Sequence, residues 1–161
     1  MRFVIVPDRS RVTIDARSSV HPIHTNTDGL QGFVELGPSP RGELSLPVER
    51  LRSGNPLEDR ELRRRIDAKR YPTIDGRLTE MHESGEPGRY RVRGDITFRG
   101  VTRACEDDMM VEHVDEQTVQ LAGSSTFDIR EFGMDPPRIL MLRVEPEVRV
   151  SVLIVAETPA P

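Results

Sequence analysis

His21 and His24, with Asp28 nearby, are the side chains best suited to hold a transition metal. Residues three apart on a strand face opposite sides, and no other histidine or cysteine stands at ligand spacing. Both therefore read as loop or surface histidines, and the sequence calls for no metal and no cofactor. A reactive thiol needs a helix N-terminus or a base beside it. Neither is visible next to Cys105, which reads as a structural, at least partly buried cysteine. Ser124 and Ser125 follow Gly123, but the Gly-x-Ser-x-Gly spacing of a nucleophile elbow is absent and a strand continues beyond them. No nucleophile, base and orienting group assemble anywhere in the chain, which argues against an enzyme.

The remaining chemistry is cationic. Arg60, Arg63, Arg64, Arg65, Lys69 and Arg70 form a basic run interleaved with Glu58, Asp59 and Glu61. Such a pattern reads first as a solvated helix face. Its functional reading is an electropositive lip in which Arg63, Arg64 and Arg70 meet a phosphate or carboxylate head group. Arg130, beside Asp128 and Glu131, is either a paired surface arginine or a fourth group that steers a ligand's polar end.

The segment carrying the basic run is the one well-signposted helix. Asn55 suits an N-cap, Pro56 the first helical position, and Glu58 the acid of a capping box. Leu62 and Ile66 share one side, while Asp59 with Arg63 and Glu61 with Arg65 make i,i+4 pairs on the others. Tyr71-Pro72 is expected to end the helix, because the residue before proline is pushed toward extended geometry.

The rest of the chain alternates with period two, the signature of half-buried strands. Val12 and Ile14 share a face with Ala16; Val34 follows Leu30 and Gly32; Leu44 and Leu46 precede Val48. After the helix come Ile74 and Gly76, then Val92, Ile96 and Phe98, then Val119 and Leu121 in a stripe running through Gly123, Ser125 and Phe127 to Ile129. Leu140 to Arg143 and Val148 to Ala156, with Val150 and Val152 inward, close the chain. About eight strands with one wet face each suit an all-β antiparallel barrel or sandwich. Gly32, Gly76, Gly94 and Gly123 fall in the inward phase, where small residues leave room.

Composition narrows the function classes. A chain of 161 residues is the size of one domain, read here as residues 1–161, and needs no staples. Net charge is −4 with signs intermixed, against the basic domain of a nucleic-acid binder. Aromatics are only 4% with no Trp, so base-stacking platforms are unsupported as well. The N-terminus lacks an apolar leader stretch, and the run Val152 to Ala156 is far short of the roughly 20 residues of a membrane span. The expected location is the cytoplasm.

Three separated segments resemble the YceI-like family of lipocalin-like lipid-binding proteins. Asn55, Asp59, Leu62, Tyr71 and Pro72 match its helix pattern. Gly94-Asp95-Ile96-Thr97-Phe98-Arg99-Gly100-Val101-Thr102-Arg103 matches its strand–turn–strand segment, and Phe127-Asp128-Ile129-Arg130-Glu131-Phe132-Gly133-Met134 its third. The resemblance runs from about Arg11 to Glu157. It implies an extended antiparallel lipocalin-like barrel of about eight strands, with the short helix covering an end or gap. It further implies an apolar cavity for a polyisoprenoid or similar long-chain lipid, bound, stored or transported without chemistry. Val34 and Gly76 stand where the family often carries aromatics.

On that reading the ligand contacts are the inward residues Val12, Ile14, Val34, Leu44, Leu46, Ile74, Gly76, Val92, Ile96, Phe98, Val119, Leu121, Val150 and Val152. The partner is then a long apolar small molecule, with neither nucleic acid nor a spanned membrane. The oligomeric state stays open, a homodimer included. The competing reading is a protein-interaction module whose barrel is filled by its own side chains.

Overall fold

The alternating segments become a sheet that closes on itself. The computed structural model describes residues 1–136, 138–139 and 142–159. Eleven strands appear: β1 (Arg2–Ile5), β2 (Arg11–Ser18), β3 (Pro22–Thr27), β4 (Gln31–Glu35), β5 (Arg41–Pro47), β6 (Thr73–Glu83), β7 (Arg89–Phe98), β8 (Val101–His113), β9 (Thr118–Asp128), β10 (Arg138–Ile139) and β11 (Leu142–Glu157). One helix, α1 (Pro56–Ile66), lies between β5 and β6. The strand expected from Leu140 to Arg143 rests in part on Leu140 and Met141, which lie outside the described residues.

The chain order β1-β4-β5-β6-β7-β8-β9-β11 returns to β1 through Val4 opposite Glu157 and Ile5 opposite Ala156. Every pairing is antiparallel, and the result is a closed barrel of eight strands. Long β11 also takes β2 along Val144 to Leu153, and β2 takes β3. Among the described residues β3 has no second strand partner, so Pro22 begins an edge strand, where its missing N–H does no harm. At one pole β1 and β4 close the wall. At the other, β11 is flanked instead by β2, which carries β3.

Between β1 and β2 the chain kinks at Pro7-Asp8, and Ser10 repairs the ladder. Its fully buried hydroxyl donates to the Val6 carbonyl at 2.9 Å and accepts from the Val155 N–H at 3.0 Å. Ser10→Ala should strip partners from buried main chain and cost about 1–3 kcal/mol. A urea midpoint within error of the parent protein would refute that role for Ser10.

The closed pole is solid. Phe3, Ile5, Val34, Val111, Val119, Leu121, Ile154 and Ala156 are all buried there, drawn together by registers such as Phe3 opposite Val34 and Leu121 opposite Ile154. Two of the inward glycines serve backbone approach instead of space. Gly94 lies opposite a bulge at Thr79, and a Cβ on it would fall 2.2 Å from the Arg77 carbonyl oxygen. On Gly32 it would fall 1.8 Å from that of Glu43. Gly123 is tight to a lesser degree, with a Cβ there 3.0 Å from the Met109 side chain and 3.1 Å from the Asp108 carbonyl oxygen. Only Gly76 fits the expectation of a small residue beside open space.

Helix α1 starts as its sequence requires. The Asn55 side chain accepts from the Leu57 and Glu58 N–H groups at 3.0 and 3.3 Å, with Pro56 following. Its end differs from expectation: Asp67 adopts the left-handed conformation at φ +59° and caps it, four residues before Tyr71. The side chains also depart. Glu61 pairs with Arg64 and Arg65, but Asp59 turns inward to Ser53 instead of pairing with Arg63. Glu58 likewise accepts from the Ser53 hydroxyl rather than completing a capping box.

Candidate functional site

At this second pole a cavity of about 230 Å³ lies beneath α1. The helix covers it because Leu62 and Ile66, four apart, share the face that looks inward. β2 contributes Val12, Ile14 and Ala16; β3, Ile23 and Thr25; β5, Leu44 and Leu46. Ile74 and Gly76 of β6, Ile96 and Phe98 of β7, and Val144, Val148, Val150 and Val152 of β11 complete the wall.

Most of the inward residues read from the sequence therefore meet at one place. Four do not. Val34, Val119 and Leu121 face inward but at the solid pole, where facing side chains already fill the barrel. Val92 is half-buried, opposite Met81 and past the β6–β7 bulge, away from the lining.

A third wall is only partly anticipated: Phe127 and Ile129 end the inward stripe read from the sequence, whereas Phe132 and Met134 do not figure in it. Phe127 at the end of β9 and Ile129, Phe132 and Met134 in and after the following 3-10 turn also face the cavity. Phe132 stands edge-on to Phe98 at 5.8 Å and to Phe127 at 6.3 Å between ring centroids, a geometry aromatic rings prefer. This turn is tied to the β7–β8 turn by Arg99, which donates to the Gly133 carbonyl, and by Arg103, which donates to that of Glu131 at 3.0 Å. Gly100, at φ +74°, lets the β7–β8 turn rest on Tyr71; a Cβ there would come within 2.8 Å of the ring. The three recognisable segments of the sequence thus converge on the open pole.

The polar groups of the lining also differ from expectation. They are Thr25, Ser53, Glu58, Asp59 and Asp75, and no lining residue is basic. Arg63, Arg64, Arg70 and Arg130 all lie off the cavity wall. Arg64 pairs with Glu61 at 3.3 Å and Arg70 stacks over Tyr71. Arg130 grips Asp128 at 2.6 Å, and this contact holds the Asp128 carboxyl below the usual carboxylate range. The charged groups of the lining are thus acidic, and the four arginines stand outside it. Replacing Arg63, Arg64 and Arg70 together with Gln should leave ligand retention unchanged, since none of the three lines the cavity. Selective loss of an anionic lipid from that triple variant would restore the arginine reading.

The other chemical candidates occupy separate places. His24 pairs with Asp15 across β2 and β3, whereas the His21 ring meets the Pro22 carbonyl. Cys105 on β8 is half-buried, and burial, with Asp107 and Asp95 acting the same way, pushes its thiol up and away from the reactive thiolate. Ser125 donates to Asp107, and Ser124 accepts from Arg149.

An eight-strand barrel with an apolar space inside it and one covering helix is of a size that can hold a single small ligand. The family model for the YceI-like domain matches residues 3–156, and the chain belongs to that family. Solved structures agree on the fold. Burkholderia cenocepacia BcnA superposes with a TM-score of 0.83 at 17% identity, covering 94% of this chain and 99% of the other. A polyisoprenoid binding domain from Saccharophagus degradans gives 0.85 at 12% identity, with 98% of each chain covered. The Campylobacter jejuni YceI protein gives 0.72 at 13% identity over 84% of this chain and 85% of its own. No curated protein matches the sequence.

Proposed function

We propose that the protein binds one long-chain apolar molecule, isoprenoid in kind, in the cavity under α1 and stores or carries it without transforming it. The observation that carries this reading is the cavity wall: aliphatic and aromatic side chains from seven strands and the helix, around open space. Membership of the YceI-like family supports it, as does likeness to a fold that in Saccharophagus degradans forms a polyisoprenoid binding domain.

Energetics favour the wall over any surface charge as the source of affinity. Each buried methylene-sized group is worth about 0.8 kcal/mol, so one five-carbon unit contributes roughly 4 kcal/mol gross. Ordering the tail takes back much of this, and large ligands net about 0.3 kcal/mol per heavy atom. A few such units still outweigh an exposed ion pair. The polar lining groups offer hydrogen-bond acceptors and hydroxyls but no histidine to activate one, which suits holding a molecule better than reacting it.

Native mass spectrometry of the purified protein, followed by organic extraction, tests the proposal. The expected result is a retained adduct that yields a prenyl or acyl chain. A ligand-free mass together with no uptake of an offered prenyl alcohol would favour the self-filled barrel, whose solid pole would then extend throughout.

A further inference from the structure

The acidic groups in an otherwise apolar cavity call for an explanation. Glu58 and Asp59 are 8% and 6% exposed, and both line the cavity. Buried carboxylates are costly unless paired or hydrogen-bonded. Among the described residues no ion pair involves either one; the nearby Glu61 takes Arg64 and Arg65 instead. Both sit in the first turn of α1, where the helix dipole favours an acid. That accounts for part of the cost, and the Ser53 N–H donating to Asp59 Oδ1 at 2.7 Å accounts for more.

Glu58 is left short. Its one hydrogen-bond partner is the Ser53 hydroxyl, at 3.1 Å from Oε2, and the same hydroxyl lies 2.7 Å from Asp59 Oδ1. A hydroxyl has a single hydrogen to give. Asp59 holds that hydroxyl the more closely, Glu58 Oε2 has only the longer share of it, and among the described residues no donor reaches Glu58 Oε1. Asp75, exposed at the rim, adds a third carboxyl and no base answers it within the lining.

We infer that the cavity receives its ligand by a head group that donates hydrogen bonds and carries no negative charge, a long-chain alcohol or a protonated amine, with Glu58 as acceptor and Asp59 and Ser53 holding it in place. This rests on the lipid-carrier reading above and specifies which lipids that reading admits. A carboxylate or phosphate head would meet like charge, which disfavours it. A hydroxyl or ammonium supplies the missing donor, and the ammonium adds charge assistance. The apolar tail then runs along the wall formed by Ile14, Leu46, Ile96 and Val150.

Four probes sharing one fifteen-carbon chain, farnesol, farnesylamine, farnesoic acid and farnesyl phosphate, test this by competition against a neutral fluorescent lipid on the delipidated full chain. The alcohol and amine should each bind at least tenfold tighter than the acid and the phosphate, about 1.4 kcal/mol in each comparison. Glu58→Gln, which keeps the shape and removes the charge, should weaken the amine, strengthen the acid and leave the alcohol within about threefold, the spread expected of a modest neutral hydrogen bond. Asp59→Asn is the second variant, and circular dichroism checks that each folds. An acid or phosphate that binds as tightly as the alcohol overturns the inference. So does an order of preference unchanged in both folded variants. If none of the four binds a normally melting protein, the carrier reading itself falls and takes this inference with it.

Discussion

Gly32→Ala should destabilise the protein by about 3 kcal/mol or more, the sum of a strained backbone and an overpacked strand pair. Gly32 sits at φ +135°, which side-chain-bearing residues rarely adopt. A Cβ would stand 1.8 Å from the Glu43 carbonyl oxygen, 2.8 Å from its carbon and 3.2 Å from the Leu44 Cα. All three are main-chain atoms of β5, so no side chain can swing aside. Relief requires β4 and β5 to part, and that pairing helps close the ring through Val34 and Phe3. Gly76→Ala is the matched control, because its Cβ meets only Ile96 and Leu44 side chains at 3.4–3.6 Å. Urea unfolding of the two variants measures the difference. A loss below about 1 kcal/mol for Gly32→Ala would mean that the strand pair is slack enough to accept a methyl group, contrary to close packing.

The same two glycines show how far sequence reading reached. Period-two alternation gives the face of a strand, and it reads both Gly32 and Gly76 as inward, but only Gly76 borders the cavity. It does not give height along the barrel axis. Hence Val34, Val119 and Leu121 were grouped with Val12 and Leu46, although the structure separates them into a solid pole and a hollow one. Ring closure through Ile5 and Ala156 joins residues at opposite ends of the chain, and no local pattern reports it. The start of α1 was legible because Asn55 and Pro56 act within one turn. Its end was not, because an aspartate in the left-handed conformation at Asp67 competes with proline as a stop. Glu58 and Asp59 were read as solvated by their charge. Their spacing already said otherwise: Glu58, Leu62 and Ile66 recur every four residues, and Asp59 stands three and seven before the latter two. Charge type outweighed position in the reading, and position was the better guide. Part of the third wall escaped because Phe132 and Met134 belong to a 3-10 turn and the loop after it, which carry no strand periodicity.

Gly76→Phe should abolish lipid retention while leaving the fold intact. Gly76 borders the cavity between Leu44 and Ile96, and its backbone needs no left-handed conformation, so a side chain is tolerated there. The nearest heavy atom to a new Cβ would be Ile96 Cδ1 at 3.4 Å, the end of a side chain that can turn by a few tenths of an ångström. Beyond it lies the open space of about 230 Å³. An apolar cavity of about 150 Å³ is enough to hold a benzene molecule. A phenyl ring entering this one therefore fills a void and displaces whatever chain lay beside Leu44, Leu46 and Ile74. The wall gains contacts from the ring, which offset the strain at Ile96, and a strand prefers phenylalanine to glycine. Stability should hold within about 1 kcal/mol as retained lipid disappears. In a barrel already packed with its own side chains the same ring has nowhere to go, and the cost would be roughly 1–3 kcal/mol with no lipid present in parent or variant. Melting and organic extraction on one pair of proteins separate these outcomes, and the second would end the carrier reading.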